Sequence, residues 1–236
     1  MNIASAQRIN IIPLGIGYYT VPEVSRLLSI PARNINRWLG GYKFEEHGKT
    51  FSMPPLWTPD LPTYDHHIEL SFRDLIELRF VKAFLDAGLG LKTIRTCLNY
   101  AKECVADPRP FSTLKFRTNG RTIFLESARQ ADSEDELLDL KKHQYVIKRV
   151  IERSFKDLDI ENNTIARWRP FAGKDTIVID PERVFGQPIA AEFGVPTIVL
   201  ADAVKSEGSS KEVARLYDVS QRVVRDATRF EKSLAA

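Results

Sequence analysis

The sequence predicts a mainly α-helical protein with small β-hairpins, organised around a helix-turn-helix unit near each end. Three observations predict it. Apolar residues recur at helical spacing through most of the chain. Helix-start signals of the capping-box type stand at Thr20/Glu23, Ser71/Asp74 and Ser209/Glu212. The stretch Glu23–Arg33 lies without gaps over Glu212–Arg222, with identities at Glu, Val, Arg, Leu and Arg.

The 236 residues, 43% hydrophobic and 28% charged, suit one or two folded domains and argue against a disordered or collagen-like chain. The longest uncharged stretch, Ile9–Pro22, is interrupted by Pro13, Gly15 and Gly17, too short and broken to span a bilayer. It carries no small-residue cleavage pattern, so a cytoplasmic location is expected. Two cysteines, Cys97 and Cys104, exclude a disulfide scaffold and a four-cysteine zinc site, and both are expected as core thiols. A net charge of +3 permits nucleic-acid contact without locating it.

The first helix starts at Thr20 and places Val21, Val24, Leu27 and Leu28 on one face, with Pro22 in its first turn. Ser29-Ile30-Pro31 resets the chain, with Ser29 expected to cap a second helix whose inner face is Ile35, Trp38 and Leu39. Gly40-Gly41 ends that helix, and the pair forms a helix-turn-helix pattern. Prolines 54, 55, 59 and 62 forbid a continuous helix over residues 42–70, where a hairpin and an irregular loop are expected. Ser71–Leu85 and Leu91–Val105 read as amphipathic helices separated by Gly88-Leu-Gly90.

The Asn119-Gly120 pair, between Leu114–Arg117 and Thr122–Leu125, predicts a β-hairpin with a type I′ turn. An acidic patch (Asp132, Glu134, Asp135, Glu136) suits the N-terminus of a long helix reaching Asp157, about 36 Å at 1.5 Å per residue. That helix either mediates dimerisation or packs on its own domain. Residues 159–174 read as a linker between an N-terminal domain (1–158) and a C-terminal one (175–236). The C-terminal part has a short β-branched strand at Thr176–Ile179, a Pro- and Gly-punctuated stretch, a helix to Glu207, and a helix–turn–helix from Ser209.

Helical geometry selects candidate contacts. The first unit leaves Arg33, Asn36 and Arg37 outside, with Asn34 at the margin. The second buries Val219, Val223, Val224, Ala227 and Phe230 and leaves Gln221, Arg222, Arg225 and Arg229 outside. Arginine pairs bidentately with guanine edges, and Asn or Gln with adenine, so either face suits a DNA major groove. Such faces are also met as plain solvated surface or in protein-binding tri-helical modules.

The N-terminal half resembles the MerR-like winged-helix family. The resemblance is carried by Tyr18-Tyr-Thr-Val-Pro-Glu-Val-Ser-Arg-Leu-Leu, Ile35-Asn-Arg-Trp38, Leu70-Ser-Phe-Arg-Asp-Leu-Ile-Glu-Leu-Arg-Phe80 and Gly88-Leu-Gly-Leu-Lys-Thr-Ile-Arg95, over roughly residues 17–105. A long coiled-coil helix with cysteines near its start follows closely in metal-sensing members. Here it does not, which speaks against metal sensing.

The C-terminal part resembles the domain of unknown function 433 found in VapB-type antitoxins. The carriers are Val178-Ile-Asp-Pro181, Phe185-Gly-Gln-Pro-Ile189, Gly194-Val-Pro-Thr197, Gly208-Ser-Ser-Lys-Glu-Val-Ala214 and Val224-Arg-Asp-Ala227, with Arg167-Trp-Arg-Pro170 upstream. The combination implies a type II antitoxin that binds and silences a PIN-domain ribonuclease toxin and represses its own operon; a palindromic operator would favour a homodimer. A PIN site gathers carboxylates, which an inserted arginine can pair with, and this singles out Arg167 and Arg169 as toxin contacts, with Trp168 as an aromatic anchor.

Enzyme readings have little support. His66-His67 point apart on strand or helix, and His47 and His143 offer no ligand spacing. No phosphate loop, serine elbow or Cys–His nucleophile motif occurs, so no catalytic residue, metal or cofactor is expected. The rival functions are a MerR-like regulator answering a small molecule without a toxin partner, and an adaptor that binds only protein.

Overall fold

The structure, a computed structural model, describes residues 15–130 apart from 64 and 66, and residues 134–235; of residues 46 and 134–143 it describes the backbone alone. Among the described residues it is mainly helical, with nine α-helices and three small antiparallel sheets.

Strand β1 (Tyr19–Thr20) pairs with β4 (Glu69–Leu70) and leads into α1 (Val21–Leu28). The Thr20/Glu23 box forms as expected: Thr20 N–H donates to Glu23 Oε2 at 2.8 Å, and Glu23 N–H to Thr20 Oγ1 at 3.4 Å. Ser29 differs from expectation. It sits in the left-handed region (φ 51°) and closes α1 rather than capping α2 (Ala32–Gly40), which starts at Pro31 without a side-chain cap. Hairpin β2 (Tyr42–Glu46) and β3 (Lys49–Met53) follows, pinned by the stacked cross-strand pair Phe44–Phe51 at 5.4 Å.

Helices α3 (Phe72–Asp86) and α4 (Leu91–Val105) lie where the spacing puts them. The expected hairpin at Asn119-Gly120 is absent: α5 (Leu114–Gln130) runs straight through it. Its buried residues Phe116, Gly120, Ile123, Phe124 and Ser127 keep helical spacing, and this burial outweighs the local turn preference of Asn-Gly. Gly120 is needed for close packing, since a Cβ there would stand 2.7 Å from Ile151 Cδ1 on α6 (Glu134–Ser154). The described end of α6 packs on its own chain, with Ile147 and Ile151 buried. Asp132 and His66 lie outside the described residues.

Residues 159–174 are not a plain linker. Strands β5 (Leu158–Glu161) and β6 (Thr164–Trp168) form a hairpin across Asn162-Asn163, both with positive φ (49° and 67°) as a two-residue turn requires. They join β7 (Ile177–Ile179) and β8 (Pro188–Ala190) in one sheet of order β5-β6-β7-β8. The chain ends in α7 (Thr197–Glu207), α8 (Ser210–Leu216) and α9 (Gln221–Leu234).

Two apolar clusters result. The larger runs from Tyr19 to Ile179 and contains Phe80, Phe84, Phe111, Phe116, Phe124 and Phe155 with ring centroids as close as 4.6 Å. The smaller joins Ala190, Leu200, Val213, Val219, Val223, Val224 and Ala227. Cys97 belongs to the larger cluster, whereas Cys104 is exposed, contrary to expectation.

Candidate nucleic-acid and partner-binding surfaces

α2 is seated by Ile35, Trp38 and Leu39, all buried. Arg33, Asn36 and Arg37 are therefore exposed and Asn34 half-buried, as the spacing implies. The Arg37 guanidinium lies 3.9 Å over the Tyr42 ring, which fixes it between α2 and the β2–β3 hairpin. Lys43 and Lys49 are exposed on the hairpin.

The loop after the hairpin is held by a buried polar knot. Asp74 is fully buried, and its Oδ1 accepts from Trp57 Nε1 at 2.8 Å and from Arg109 Nε at 2.7 Å. Its Oδ2 accepts from the backbone N–H groups of Asp60 (3.0 Å) and Ser71 (3.1 Å). Arg109 also donates to Asp60 Oδ1 and the Thr58 carbonyl. Leu56 N–H donates to the Trp38 carbonyl at 2.7 Å, so the knot reaches the frame of α2. On the neighbouring turn of α3, Glu77 is fully buried; Ser112 N–H donates to its Oε1 at 3.0 Å, and its Oε2 has no partner. Burial pushes this carboxyl up to about 8.

In α9, Val223, Val224, Ala227 and Phe230 face the core and Arg222, Arg225 and Arg229 are exposed. Gln221 is half-buried and donates through Nε2 to Ser210 Oγ at 3.2 Å. Arg222 lies 3.5 Å from Asp175. Lys232 is exposed and continues the arginine stripe, an addition that the i, i+3, i+7, i+10 spacing could have supplied. The buried Asp226 is the inward counterpart, accepting from Thr176 Oγ1 at 3.0 Å and Lys174 Nζ at 3.2 Å.

The three residues singled out between the two ends fall on β6 and the position after it. Arg167 and Arg169 are half-buried and paired to acids of β5: Arg167 with Glu161 and Asp159, Arg169 with Asp159 at 2.8 Å. Trp168 is only 5% exposed; its Nε1 donates to Asp157 at 3.0 Å, and the Arg79 guanidinium lies 5.1 Å from its ring centre. The indole thus anchors the sheet to α3 from inside, and it is the two arginines that reach the surface.

The α1 and β7–β8 regions meet directly. Tyr18 N–H donates to the Phe185 carbonyl at 2.9 Å, and the buried Tyr19 hydroxyl donates to the Gly186 carbonyl at 2.7 Å. Burial pushes the Tyr19 phenol well up, and the bond to Glu69 holds Tyr18 at about 12. Beside this junction is a small cleft of about 140 Å³ between α1, α7 and α9, lined by Arg26, Leu27, Ile198 and Glu231 among others. Among the described residues no group of three His, Cys, Asp or Glu is placed to hold a metal, and no helix is long and apolar enough to cross a membrane.

No protein-family model matches the chain. A Mycobacterium tuberculosis protein named "Putative antitoxin VapB45" is 25% identical over 219 residues, covering 89% of this chain and 91% of that protein. The X-ray crystal structure of Rv2018 from Mycobacterium tuberculosis superposes with a TM-score of 0.72 at 25% identity, covering 92% of this chain and 99% of that one.

Proposed function

We propose that the chain is an antitoxin of a type II toxin–antitoxin system, which binds and neutralises a PIN-domain ribonuclease and represses its own operon by binding DNA. The observation that carries the antitoxin role is the end-to-end similarity to a protein bearing that name. The geometry supports the DNA-binding half of the reading. Two helices, α2 and α9, each seat an apolar face in a core and leave an exposed basic one. In this reading α1–α2 with the β2–β3 hairpin acts as a winged helix-turn-helix and α8–α9 as a second helix-turn-helix. Arg33, Asn34, Asn36 and Arg37 address one DNA site, and Gln221, Arg222, Arg225 and Arg229 another. A homodimer would match the two-fold symmetry of a palindromic operator.

Toxin neutralisation is assigned to Arg167 and Arg169, supported from beneath by Trp168. Each arginine is already paired with a carboxylate of its own chain. Meeting the acidic site of a ribonuclease therefore exchanges one carboxylate for another, a smaller desolvation change than burying a free guanidinium.

The test is to purify the chain with the product of its neighbouring reading frame, then measure ribonuclease activity before and after separation and operator binding across a salt series. Activity that returns on separation supports the antitoxin role. Operator affinity falling steeply with salt supports phosphate neutralisation by the protein. Alanine at Arg33 and Arg37, or at Arg225 and Arg229, should flatten that slope by roughly one unit for each phosphate no longer neutralised. A salt-independent affinity, or a neighbour that never binds, overturns the corresponding half.

A further inference from the structure

The β7–β8 loop holds three consecutive residues in the left-handed region: Val184 (φ 47°), Phe185 (φ 54°) and Gly186 (φ 81°). Gly186 has an evident reason to be glycine, since a Cβ there would stand 2.2 Å from the Tyr19 hydroxyl. Val184 and Phe185 have no such freedom, and a β-branched residue is a marked outlier in that region. Burial of their own side chains does not offset this, because Phe185 is 65% exposed and Val184 39%. The strain is maintained from behind by the Tyr18 N–H and the Tyr19 hydroxyl, which hold the Phe185 and Gly186 carbonyls. The outcome is a phenyl ring held out in water on a backbone that cannot relax around it. Strain of this kind concentrates at functional positions, and a pre-ordered exposed aromatic is what a binding anchor needs.

The charge beside the ring narrows the occupant. Glu182, on the same loop, is exposed, and so is Glu192 on the turn beyond β8, next to the exposed Phe193. Neither carboxylate has a hydrogen-bonding or ionic partner among the described residues. Arg183 Nη1 donates to the Ala191 carbonyl at 2.8 Å, which ties the loop to that turn and turns this guanidinium inward. DNA is repelled by such a rim. A two-fold contact with its axis through the loop would set this acidic rim against its own copy.

We propose that the Val184–Phe185 loop is a docking anchor for a protein partner that offers an apolar pocket rimmed by lysine or arginine, and that this partner is the toxin. The identity of the partner rests on the antitoxin reading above; the anchor, Phe185, is distinct from Arg167 and Arg169, although Glu182 lines one cavity with Arg167. Phe185 supplies the anchor, and Glu182 and Glu192 meet the basic rim.

The experiment measures the affinity of the full-length chain for the co-encoded partner protein by calorimetry, with the Phe185→Ala and Glu182→Lys/Glu192→Lys variants beside the unaltered chain. Melting curves confirm that the variants fold, and light scattering reports the oligomer. The expected result is an affinity loss of at least about tenfold for Phe185→Ala, as for an anchor residue, and a weaker, salt-dependent complex for the charge-reversed variant. Partner binding equal to that of the unaltered chain overturns the docking site and leaves the antitoxin reading standing. An unaltered chain that does not bind the partner at all overturns both. A change of oligomer in Phe185→Ala, with partner affinity kept, assigns the loop to self-association and overturns the proposal.

Discussion

Replacing Asp74 by alanine tests whether the polar knot holds the α2 end of the fold together. Asp74 has no exposed surface and Arg109 is 3% exposed, so the substitution leaves a guanidinium and the Trp57 indole N–H in the interior without their shared acceptor. It also removes the box that closes the N-terminus of α3 and the acceptor for Asp60 N–H. Breaking a buried pair by deleting one partner costs about 3–5 kcal/mol. Arg109 keeps Asp60 Oδ1 at 2.8 Å and the Thr58 carbonyl at 2.7 Å, which places the expected loss in the lower part of that range. At about 2–4 °C per kcal/mol for a protein of this size, the melting temperature should fall by roughly 6–16 °C. Urea unfolding followed by tryptophan fluorescence reads the loss directly, since Trp57 lies in the knot. The paired change Asp74→Leu/Arg109→Met should cost less than Asp74→Ala alone, because the one charge it leaves unpaired, Asp60, is partly exposed rather than in the interior. A loss below about 1 kcal/mol for Asp74→Ala, or a double variant worse than the single one, would refute the reasoning.

Glu77 makes stability depend on pH. Its folded value, about 8, lies above its ordinary value, so it stays protonated in the folded chain while the unfolded chain ionises. Its contribution is complete below the ordinary carboxylate range and is lost as pH rises towards 8, at up to about 1.4 kcal/mol per pH unit. Glu77→Gln should flatten that fall between about pH 5 and 8 in chemical denaturation, and identical slopes for both proteins would count against the buried acid. Under the proposed antitoxin function, changing Arg167 and Arg169 together to alanine should weaken inhibition of a co-encoded ribonuclease, with little change in melting temperature because both pairs are partly exposed. Undiminished inhibition would remove these arginines from the toxin interface.

The helices are legible wherever an apolar stripe coincides with a start or stop signal. Thr20, Ser71 and Ser209 all cap helices in the structure. The exposed faces of α2 and α9 follow from the same periodicity, because a helix that buries Ile35, Trp38 and Leu39 must turn Arg33, Asn36 and Arg37 outward. The hairpins are less legible. Asn119-Gly120 carries a strong turn signal but lies inside α5, whereas one two-residue turn that does form, Asn162-Asn163, is in a stretch that reads as linker. The first difference has a plain cause. A turn signal covers two residues, and the packing of Phe116, Gly120 and Phe124 against Phe80, Phe84 and Ile151 weighs more than those two residues can.

The sequence by itself determined the helical elements, their inner and outer faces, and the basic character of two of those outer faces. These properties depend on neighbours three and four residues apart, which periodicity displays directly. Only the tertiary structure decided that Trp168 turns inward against Arg79, that Asp74, Trp57 and Arg109 close one knot, and that Tyr18 and Tyr19 hold a strained loop far along the chain with Phe185 in solvent. Those facts rest on contacts between residues remote in sequence. A buried charge, a carbonyl in reach of a phenol and a forbidden Cβ are properties of the space between elements, and a one-dimensional pattern carries no measure of that space.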